Sequence, residues 1–377
     1  MEPEVIILAK QLIQKPSYTP DDAGCQPLLM NRMGGQGFQG EHHRFGEVDN
    51  VLMWHGDEQG PALMFLGHTD VVPPGNEAAW KHHPLSAHVE SGVLYGRGVA
   101  DMKGSIAAMV LAMEKFVGEH PNHPGKIALM LTSDEEGVAV DGVKKFMPLM
   151  ADKHHFDYCL VGEPSSAETL GDTVRVGRRG SLHVTIRIKG KQGHVAYPQN
   201  ASNPIFLAAQ AIDEMGQFVW DEGNKDFPPT SFQISNITAG NSVPNIIPGE
   251  LVITANYRYS PESNQQTLAV QLQSLLDKHN LEYELNWQLS GEPFHCQNET
   301  FKKALSDSIE HIVGIKPVFN TAGGTSDGRF VAPHGISTME LGPINKTIHQ
   351  VNECEKSSHL VQLENIYLEL IKRLLLP

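Results

Sequence analysis

Short apolar runs alternate with amphipathic segments along the first 180 residues. Apolar stretches predict buried strands over residues 61–67, 126–132 and 156–161, since strands of a parallel sheet that are covered on both faces are continuously hydrophobic. Helical periodicity and helix-start residues predict helices over residues 5–13, 20–33 and 105–117. This alternation favours an α/β domain with a sheet between helices.

The hydrophobic pattern changes between residues 181 and 291. Residues 182–188 alternate apolar with polar side chains, which is typical of an antiparallel strand with one face in water. The elements that follow complete a β-α-β-β-α-β order: a helix over 204–218, strands over 232–237 and 251–259, a helix over 262–279 and a strand over 281–289. We therefore expect an α+β ferredoxin-like domain at residues 180–291, inserted into an α/β domain formed by residues 1–179 and 292–377.

Composition restricts the classes of partner. The chain has 377 residues, which is too long for a single core, and a formal charge of −15. That charge argues against nucleic acid and anionic membrane surfaces and leaves small molecules as the expected ligands. No apolar run approaches the ~18 residues of a membrane span, and the N-terminal residues do not form a signal peptide. A cytoplasmic location is expected.

Cysteine usage agrees with that location. Cys25, Cys159, Cys296 and Cys354 are widely separated and form no Cys-x-x-Cys pair. They are expected to be reduced thiols, as in a cytoplasmic protein, and not a disulfide framework.

Candidate chemical groups follow the predicted strands. His68, Glu135, Glu136 and Glu163 each come directly after a buried run, and ligands of open α/β sheets bind beyond the carboxyl ends of the strands. The placement supports one shared site. Asp70 is two residues beyond His68, where its carboxylate could orient the imidazole, although a plain surface turn is the favoured explanation of His-x-Asp taken alone.

The paired glutamates carry the most information. A Glu-Glu pair is often only a solvated helix surface, but burial of two like charges after a strand is costly without cations. One glutamate can bind a metal while its neighbour acts as general base. Asp101 lies in a glycine-rich stretch before a helix, where a capping role is an equal alternative. His349, one of 19 histidines, gains meaning only from the set as a whole.

Together these residues resemble the aminoacylase and carboxypeptidase family of di-zinc peptidases, over essentially the whole chain. The resemblance implies a mixed-sheet, di-zinc exopeptidase-like catalytic domain with an inserted lid and dimerisation domain. It implies two Zn²⁺ per subunit, replaceable by Co²⁺ or Mn²⁺, and a cis peptide after Asp101. The implied roles are Asp101 as the bridging ligand, His68 with Glu163 at the first metal, Glu136 with His349 at the second, and Glu135 as general base toward a metal-bridging water.

Further stretches resemble one branch of that family. They include Arg178-Arg179-Gly180-Ser181, Gly193-His194-Val195-Ala196-Tyr197-Pro198, Ser242-Val243-Pro244-Asn245 and Gly323-Gly324-Thr325-Ser326-Asp327. That branch hydrolyses N-succinyl-L,L-2,6-diaminopimelate to succinate and L,L-2,6-diaminopimelate, a step of bacterial lysine and cell-wall synthesis. By this resemblance, His194 stabilises the oxyanion, commonly from the partner subunit, which implies a homodimer. The substrate-binding residues it implies are Arg178, Ser181, Tyr197, Asn245, Arg258, Gly324, Thr325 and Asn345.

Two alternatives stay open at the level of sequence. Another amide hydrolase of the family, such as an acetylornithine deacetylase or an aminoacylase, has the same metal ligands but a substrate without the distal carboxylate. A non-catalytic, metal-stabilised binding protein explains the five ligands but not the additional Glu135.

Overall fold

A computed structural model of the chain describes residues 2–240 and 243–376; Ser242 of the Ser-Val-Pro-Asn motif lies outside them. The helices are α1 Glu4–Ile13, α2 Cys25–Gly34, α3 Gly104–Glu119, α4 Val143–Ala151, α5 Pro204–Gln217, α6 Gln265–Lys278, α7 Glu299–Val313, α8 Gly328–Val331 and α9 Ser357–Leu375. The strands are β1 Gln39–Phe45, β2 Val48–Gly56, β3 Ala62–His68, β4 His88–Glu90, β5 Val93–Tyr95, β6 Lys126–Thr132, β7 Tyr158–Val161, β8 Thr173–Arg175, β9 Gly177–Arg178, β10 Gly180–Lys189, β11 Gly193–His194, β12 Ser231–Ala239, β13 Ile246–Ile247, β14 Glu250–Tyr259, β15 Tyr283–Gly291, β16 Phe294–His295, β17 Val318–Asn320, β18 Ser337–Glu340 and β19 Cys354–Lys356.

The chain forms two compact units. The first comprises Met1–Gly177, His295–Asn320 and Ser326–Pro377, and the second comprises Arg178–Phe294 with Thr321–Thr325. The first unit contains an eight-stranded sheet in the order β1-β2-β6-β3-β7-β18-β8-β17. Its centre is parallel, from β6 through β3 and β7 to β18, whereas β1 and β2 pair antiparallel at one edge. The predicted α/β class with a mixed sheet is confirmed.

Alternate residues of β3 face two different helix layers. Leu63 and Phe65 belong to the core that also contains α1, α3 and α9, while Met64 and Leu66 pack with α4. Every residue of β3 and β6 is buried. A strand covered on both faces needs apolar side chains at every position, and this explains why the sequence shows continuous runs there.

The strand register places the ends of three strands at one edge of the sheet. His68, the last residue of β3, aligns with Thr132, the last residue of β6, and Leu66 of β3 aligns with Val161 at the end of β7. The residues that follow these strands therefore meet at the carboxyl edge of the parallel sheet, where ligands bind in open α/β folds.

The second unit has the predicted β-α-β-β-α-β order. Its sheet runs β12-β14-β10-β15, with every neighbouring pair antiparallel. Leu182, Val184, Ile186 and Ile188 of β10 are buried and form its core with α5 and α6. The alternating pattern of this strand thus reflects one face covered by helices and one face left open.

Three local features differ from the sequence predictions. Helix α2 begins at Cys25 and not at Pro20, because Asp22 accepts hydrogen bonds from the N–H of Gln26 and Gly24 adopts a left-handed φ of +79°. Helix α6 begins at Gln265, after Asn264 forms a capping box. The β1–β2 hairpin was not predicted. Among residues 2–240 and 243–376, no helix combines the length and apolar character that crossing a membrane requires.

Candidate metal centre

Five side chains at the carboxyl edge form two potential ligand groups that share Asp101. The first group is His68, Asp101 and Glu163, and the second is Asp101, Glu136 and His349; within each group the ligand atoms lie within 4.8 Å of one another. These are the five residues for which the sequence predicted metal binding.

The carboxylate of Asp101 faces both imidazoles with different oxygens. Its Oδ1 lies 3.2 Å from Nε2 of His68, and its Oδ2 lies 3.3 Å from Nε2 of His349. Glu163 Oε1 is 3.6 Å from Nε2 of His68, and Glu136 Oε1 is 3.0 Å from Nε2 of His349. One carboxylate between two such pairs has the arrangement of a bridging ligand.

Backbone contacts fix the tautomer of His68. Its Nδ1 lies 2.9 Å from the carbonyl oxygen of Asp70, and because a carbonyl only accepts, Nδ1 carries the hydrogen. In the neutral imidazole, Nε2 is then unprotonated and faces Asp101. This is the form that can bind a metal through Nε2.

The carboxylate of Asp70 has a different contact from the one predicted. Its Oδ1 is 3.6 Å from Nδ1 of His68, beyond hydrogen-bond range. Instead the carboxylate accepts from the backbone N–H of Glu136 at 3.1 Å and from that of Glu135 at 3.4 Å. Asp70 therefore holds the paired glutamates with its side chain and the imidazole with its backbone.

Asp101 itself lies in an irregular stretch between β5 and α3. It has φ −125° and ψ 90°, outside helical geometry, and the Asp101–Met102 peptide is cis, as predicted. Gly98, with φ +86°, directs the chain into this stretch, where a Cβ would lie 2.5 Å from Val71 Cγ1. The glycine-rich sequence thus permits the loop that brings Asp101 under both imidazoles.

The electrostatics of the cluster indicate a shortage of positive charge. Burial, followed by the charges of Asp101 and Glu135, raises the pKa of Glu163 well above its usual range. Burial also raises the pKa of Glu135 well above its usual range. Hydrogen bonds to Asp101 and Glu136 raise the pKa of His349 to about 10. The imidazole of His349 thus retains its proton at the place where a cation would lie.

The donor set fits divalent cations. Two imidazole nitrogens and three carboxylates are borderline-to-hard ligands of the kind that Zn²⁺, Co²⁺ and Mn²⁺ accept. Asp101 is 7% exposed and His68 is 1% exposed, and the cost of crowding carboxylates at such burial is relieved by bound cations. The residues present therefore match a two-metal site.

The other predicted site residues divide between the units. Asn345 belongs to the first unit, where its N–H donates to the carbonyl of Ser166 at 3.0 Å. The second unit contains Arg178, Ser181, His194, Tyr197, Asn245, Arg258, Gly324 and Thr325.

Within the second unit, these residues form two clusters. Ser181 lies opposite Arg258 in the β10–β14 register, and Arg178 Nη1 donates to the carbonyl of Ala322 at 2.8 Å. In the other cluster, the rings of His194 and Tyr197 have centroids 5.8 Å apart and both residues are exposed.

One buried acid beside the centre was not predicted. Glu353 is 0% exposed and Arg97 is 2% exposed. Oε2 of Glu353 lies 2.6 Å from Nη1 of Arg97. A single charged residue in a loop gives no periodic signal, and its partners are more than 250 positions away. Only its spacing, four residues after His349, could have drawn attention to it.

This chain belongs to the Peptidase family M20/M25/M40, whose sequence signature matches residues 64–373. It is therefore a member of a family of hydrolases. Its curated relatives include succinyl-diaminopimelate desuccinylases of Stenotrophomonas maltophilia strain R551-3 and of Marinobacter nauticus. The first is 50% identical over 372 residues, covering 98% of this chain and 99% of the relative. The second is 49% identical over 369 residues, covering 98% of both.

Solved structures give the same fold. An M20 family metallo-carboxypeptidase from Sulfolobus solfataricus superposes with a TM-score of 0.80 at 17% identity, covering 99% of both chains. The YXEP protein of Bacillus subtilis, described as a dinuclear metal binding peptidase of the M20 family, gives 0.73 at 15% identity, covering 97% of this chain and 96% of that one. At these identities the likeness concerns the fold alone.

Proposed function

We propose that this protein is a succinyl-diaminopimelate desuccinylase, which hydrolyses N-succinyl-L,L-2,6-diaminopimelate to succinate and L,L-2,6-diaminopimelate. The observation that carries the proposal is half identity, over nearly the whole chain, to relatives of that name. The two ligand groups that share Asp101 supply the matching chemistry. Because relatives of this kind are enzymes of diaminopimelate synthesis, we also propose a cytoplasmic location.

The metal centre is proposed to hold two Zn²⁺, with Co²⁺ or Mn²⁺ as substitutes. His68, Asp101 and Glu163 would hold one ion and Asp101, Glu136 and His349 the other. When bound, two such ions polarise the amide carbonyl and acidify water.

Glu135 is proposed to move the proton. It lies next to Glu136 in a half-buried position, and desolvation raises the pKa of its carboxyl well above the usual range, which favours a group that accepts a proton and later releases it. Glu135 takes the proton of the attacking water and returns it to the departing amine. Asp70 keeps Glu135 and Glu136 in place through their backbone N–H groups.

The second unit, together with Asn345, is proposed to recognise the substrate. The substrate has three carboxylates, and Arg178 and Arg258 are donors suited to them; Ser181, Tyr197, Asn245, Gly324, Thr325 and Asn345 complete the contacts. His194 donates to the developing oxyanion. We also propose that residues 180–291 act as lid and dimerisation domain for a catalytic domain of residues 1–179 and 292–377, with His194 supplied by the partner subunit.

The first test measures metal content by mass spectrometry together with hydrolysis by the zinc-loaded protein. Two metals per chain and rapid succinate release from N-succinyl-L,L-diaminopimelate are expected. Comparable rates on the N-acetyl analogue would indicate a deacetylase or aminoacylase instead. Metal binding without hydrolysis of either compound would indicate a binding protein.

Complementation tests the origin of His194. His194→Ala and Glu135→Ala are each expected to be inactive as homodimers. In a mixed dimer, one site combines an intact Glu135 with the partner's intact His194, so mixing should restore activity. Dimers that stay inactive after verified subunit exchange would contradict a contribution across the interface.

A further inference from the structure

Glu353 binds the backbone of the loop that carries Asp101. Its Oε1 accepts from the N–H of Ala100 at 2.9 Å and from that of Asp101 at 3.1 Å. Its Oε2 accepts from the N–H of Gly98 at 2.9 Å and from Nη1 of Arg97 at 2.6 Å. The carboxylate thus accepts four hydrogen bonds in a fully buried position.

This arrangement accounts for the direction of Asp101. Because Asp101 has non-helical φ and ψ and precedes α3, helix or sheet hydrogen bonds do not set its orientation. Two N–H groups next to its side chain, its own and that of Ala100, end on one oxygen of Glu353. Fixing the amide plane restricts where the Cα and Cβ of Asp101 can lie and so helps to set the position of its carboxylate.

The same contact joins two parts of the proposed centre. Glu353 follows His349 by four residues, and it binds the backbone of Asp101, a position more than 240 residues away in sequence. Both His349 and Asp101 belong to the second ligand group. A shift of Glu353 would therefore move Asp101 relative to His349. Because Asp101 also belongs to the first ligand group, the same shift would affect that group.

We propose that Glu353 is a positioning residue for metal binding, which holds Asp101 in its bridging orientation and couples it to the segment of His349. The inference rests on the proposed metal centre and not on the proposed substrate. A carboxylate suits this role because all four partners are donors. An amide in its place would direct its own NH₂ at donors in either orientation.

A simpler explanation is a buried ion pair that only stabilises the fold. Arg97 and Glu353 do form such a pair, and removal of either partner of a buried pair is destabilising. The two explanations differ in what Arg97 does. If the ion pair is the whole role, changes of Arg97 and Glu353 should affect metal binding alike; if Glu353 positions the loop, Arg97→Gln should leave three backbone contacts and most of the metal affinity.

The experiment compares Glu353→Gln, Arg97→Gln and a matched control, Asp221→Asn. Asp221 is a carboxylate of the second unit that likewise organises a loop, accepting from the N–H of Gly223 at 2.8 Å and that of Thr230 at 2.9 Å. Zinc affinity of each metal-free protein is measured by competition with a chelating dye. Hydrogen exchange of the peptide over residues 96–103 is measured without metal.

Glu353→Gln is expected to weaken zinc binding about 10- to 100-fold, the range for residues that orient metal ligands, and to speed exchange over residues 96–103. Arg97→Gln and Asp221→Asn should stay within about threefold of the wild type. If Glu353→Gln does not fold, Glu353→Asp, which keeps the charge but shortens the reach, should show the same loss to a smaller extent.

If the folded Glu353 variant shows the zinc affinity and hydrogen exchange of the wild type, the inference is overturned but the proposed function is not. Equal losses in the Glu353 and Arg97 variants would have the same meaning. A wild-type protein that binds no zinc would overturn the proposed function and the inference with it.

Discussion

The carboxylate of Asp70 accepts a hydrogen bond from the backbone N–H of Glu136, with 3.1 Å between Oδ2 and the nitrogen. Asp70 follows β3 and Glu136 follows β6, so this bond joins the loops beyond two neighbouring strands. It orients the segment that supplies both the proposed general base and a proposed ligand. Residues of this kind act through the groups they hold.

We expect Asp70→Asn to fold normally but to lower turnover of the zinc-loaded enzyme by about 10- to 100-fold. The amide NH₂ would face the N–H of Glu135 or Glu136, which displaces that segment. Steady-state rates at saturating substrate, with circular dichroism as a check on folding, measure this. Asp157→Asn is the matched control, since Asp157 accepts from the N–H of Ala62 at the opposite end of β3. Equal losses in both variants would contradict a local role.

Mutation of Glu135 and mutation of Glu136 should have different effects. We expect Glu135→Ala to retain metal and lose turnover by at least about 10²-fold, the contribution of a general base. Glu136→Ala should instead lose metal from the group that includes His349. Metal content and kcat of the two variants, measured side by side, test the assignment. A Glu135→Ala enzyme that keeps a tenth of the wild-type rate would remove Glu135 from that role.

The sequence places these residues at one edge of the sheet because the strands before them are unambiguous. β3 and β6 are buried on both faces, so their apolar runs mark the element and its end. Register then brings His68 and the glutamates together. The proposed bridging role of Asp101 and the proposed role of His349 depended on family resemblance, since neither residue follows such a run.

Other features were beyond sequence reasoning for identifiable reasons. β1 is mostly exposed or half-buried and carries a polar sequence, so it lacks a hydrophobic signal. Asp70 was assigned to the imidazole because two-residue spacing allows it; the alternative partner, the N–H of Glu136, becomes available only when β3 and β6 align. Glu353 contacts a loop more than 250 positions away, which no local pattern records.

A pair of neighbouring histidines should make the folded protein less stable as the pH falls below neutrality. His123 Nδ1 donates to the carbonyl of Pro124, so its Nε2 accepts from Nδ1–H of His55 at 3.0 Å. Burial lowers the pKa of His55 and of His123 from the ordinary value. Below about pH 6.5 the unfolded chain therefore binds more protons than the folded one, and the free energy of unfolding decreases. Protonation of His123 also removes the bond, worth about 1 kcal/mol.

Urea unfolding at pH 7.5 and pH 5.5 measures this effect. We expect His123→Phe, which keeps a ring against Phe116, to reduce the loss of stability between the two pH values. His334→Gln, at an exposed position, serves as control and should leave the loss unchanged. An unchanged loss in His123→Phe would show that the pair does not titrate in this window.

The thiols should be unreactive in the folded protein. The four cysteines are free, and Cys25, Cys159 and Cys296 are buried. Burial raises the pKa of Cys25 to about 11, and the thiolate is the reactive form. Iodoacetamide at pH 8 should leave Cys25 unmodified while the urea-unfolded chain is alkylated at all four positions, as read by mass spectrometry. Rapid labelling of native Cys25 would contradict its burial.

The number of metal ions that a variant binds should depend on whether the mutated ligand belongs to one ligand group or to both. Asp101 belongs to both ligand groups, whereas Glu163 belongs to one. After loading with zinc and removal of excess metal, we expect two ions in the wild type, about one in Glu163→Ala and almost none in Asp101→Ala, because a bridging carboxylate supports both ions of a paired site. Loss of an imidazole ligand cannot explain the different metal contents, since His68 and His349 remain in both variants. Equal occupancy in Glu163→Ala and Asp101→Ala would contradict the bridging arrangement, and full occupancy in Asp101→Ala would exclude Asp101 as a ligand.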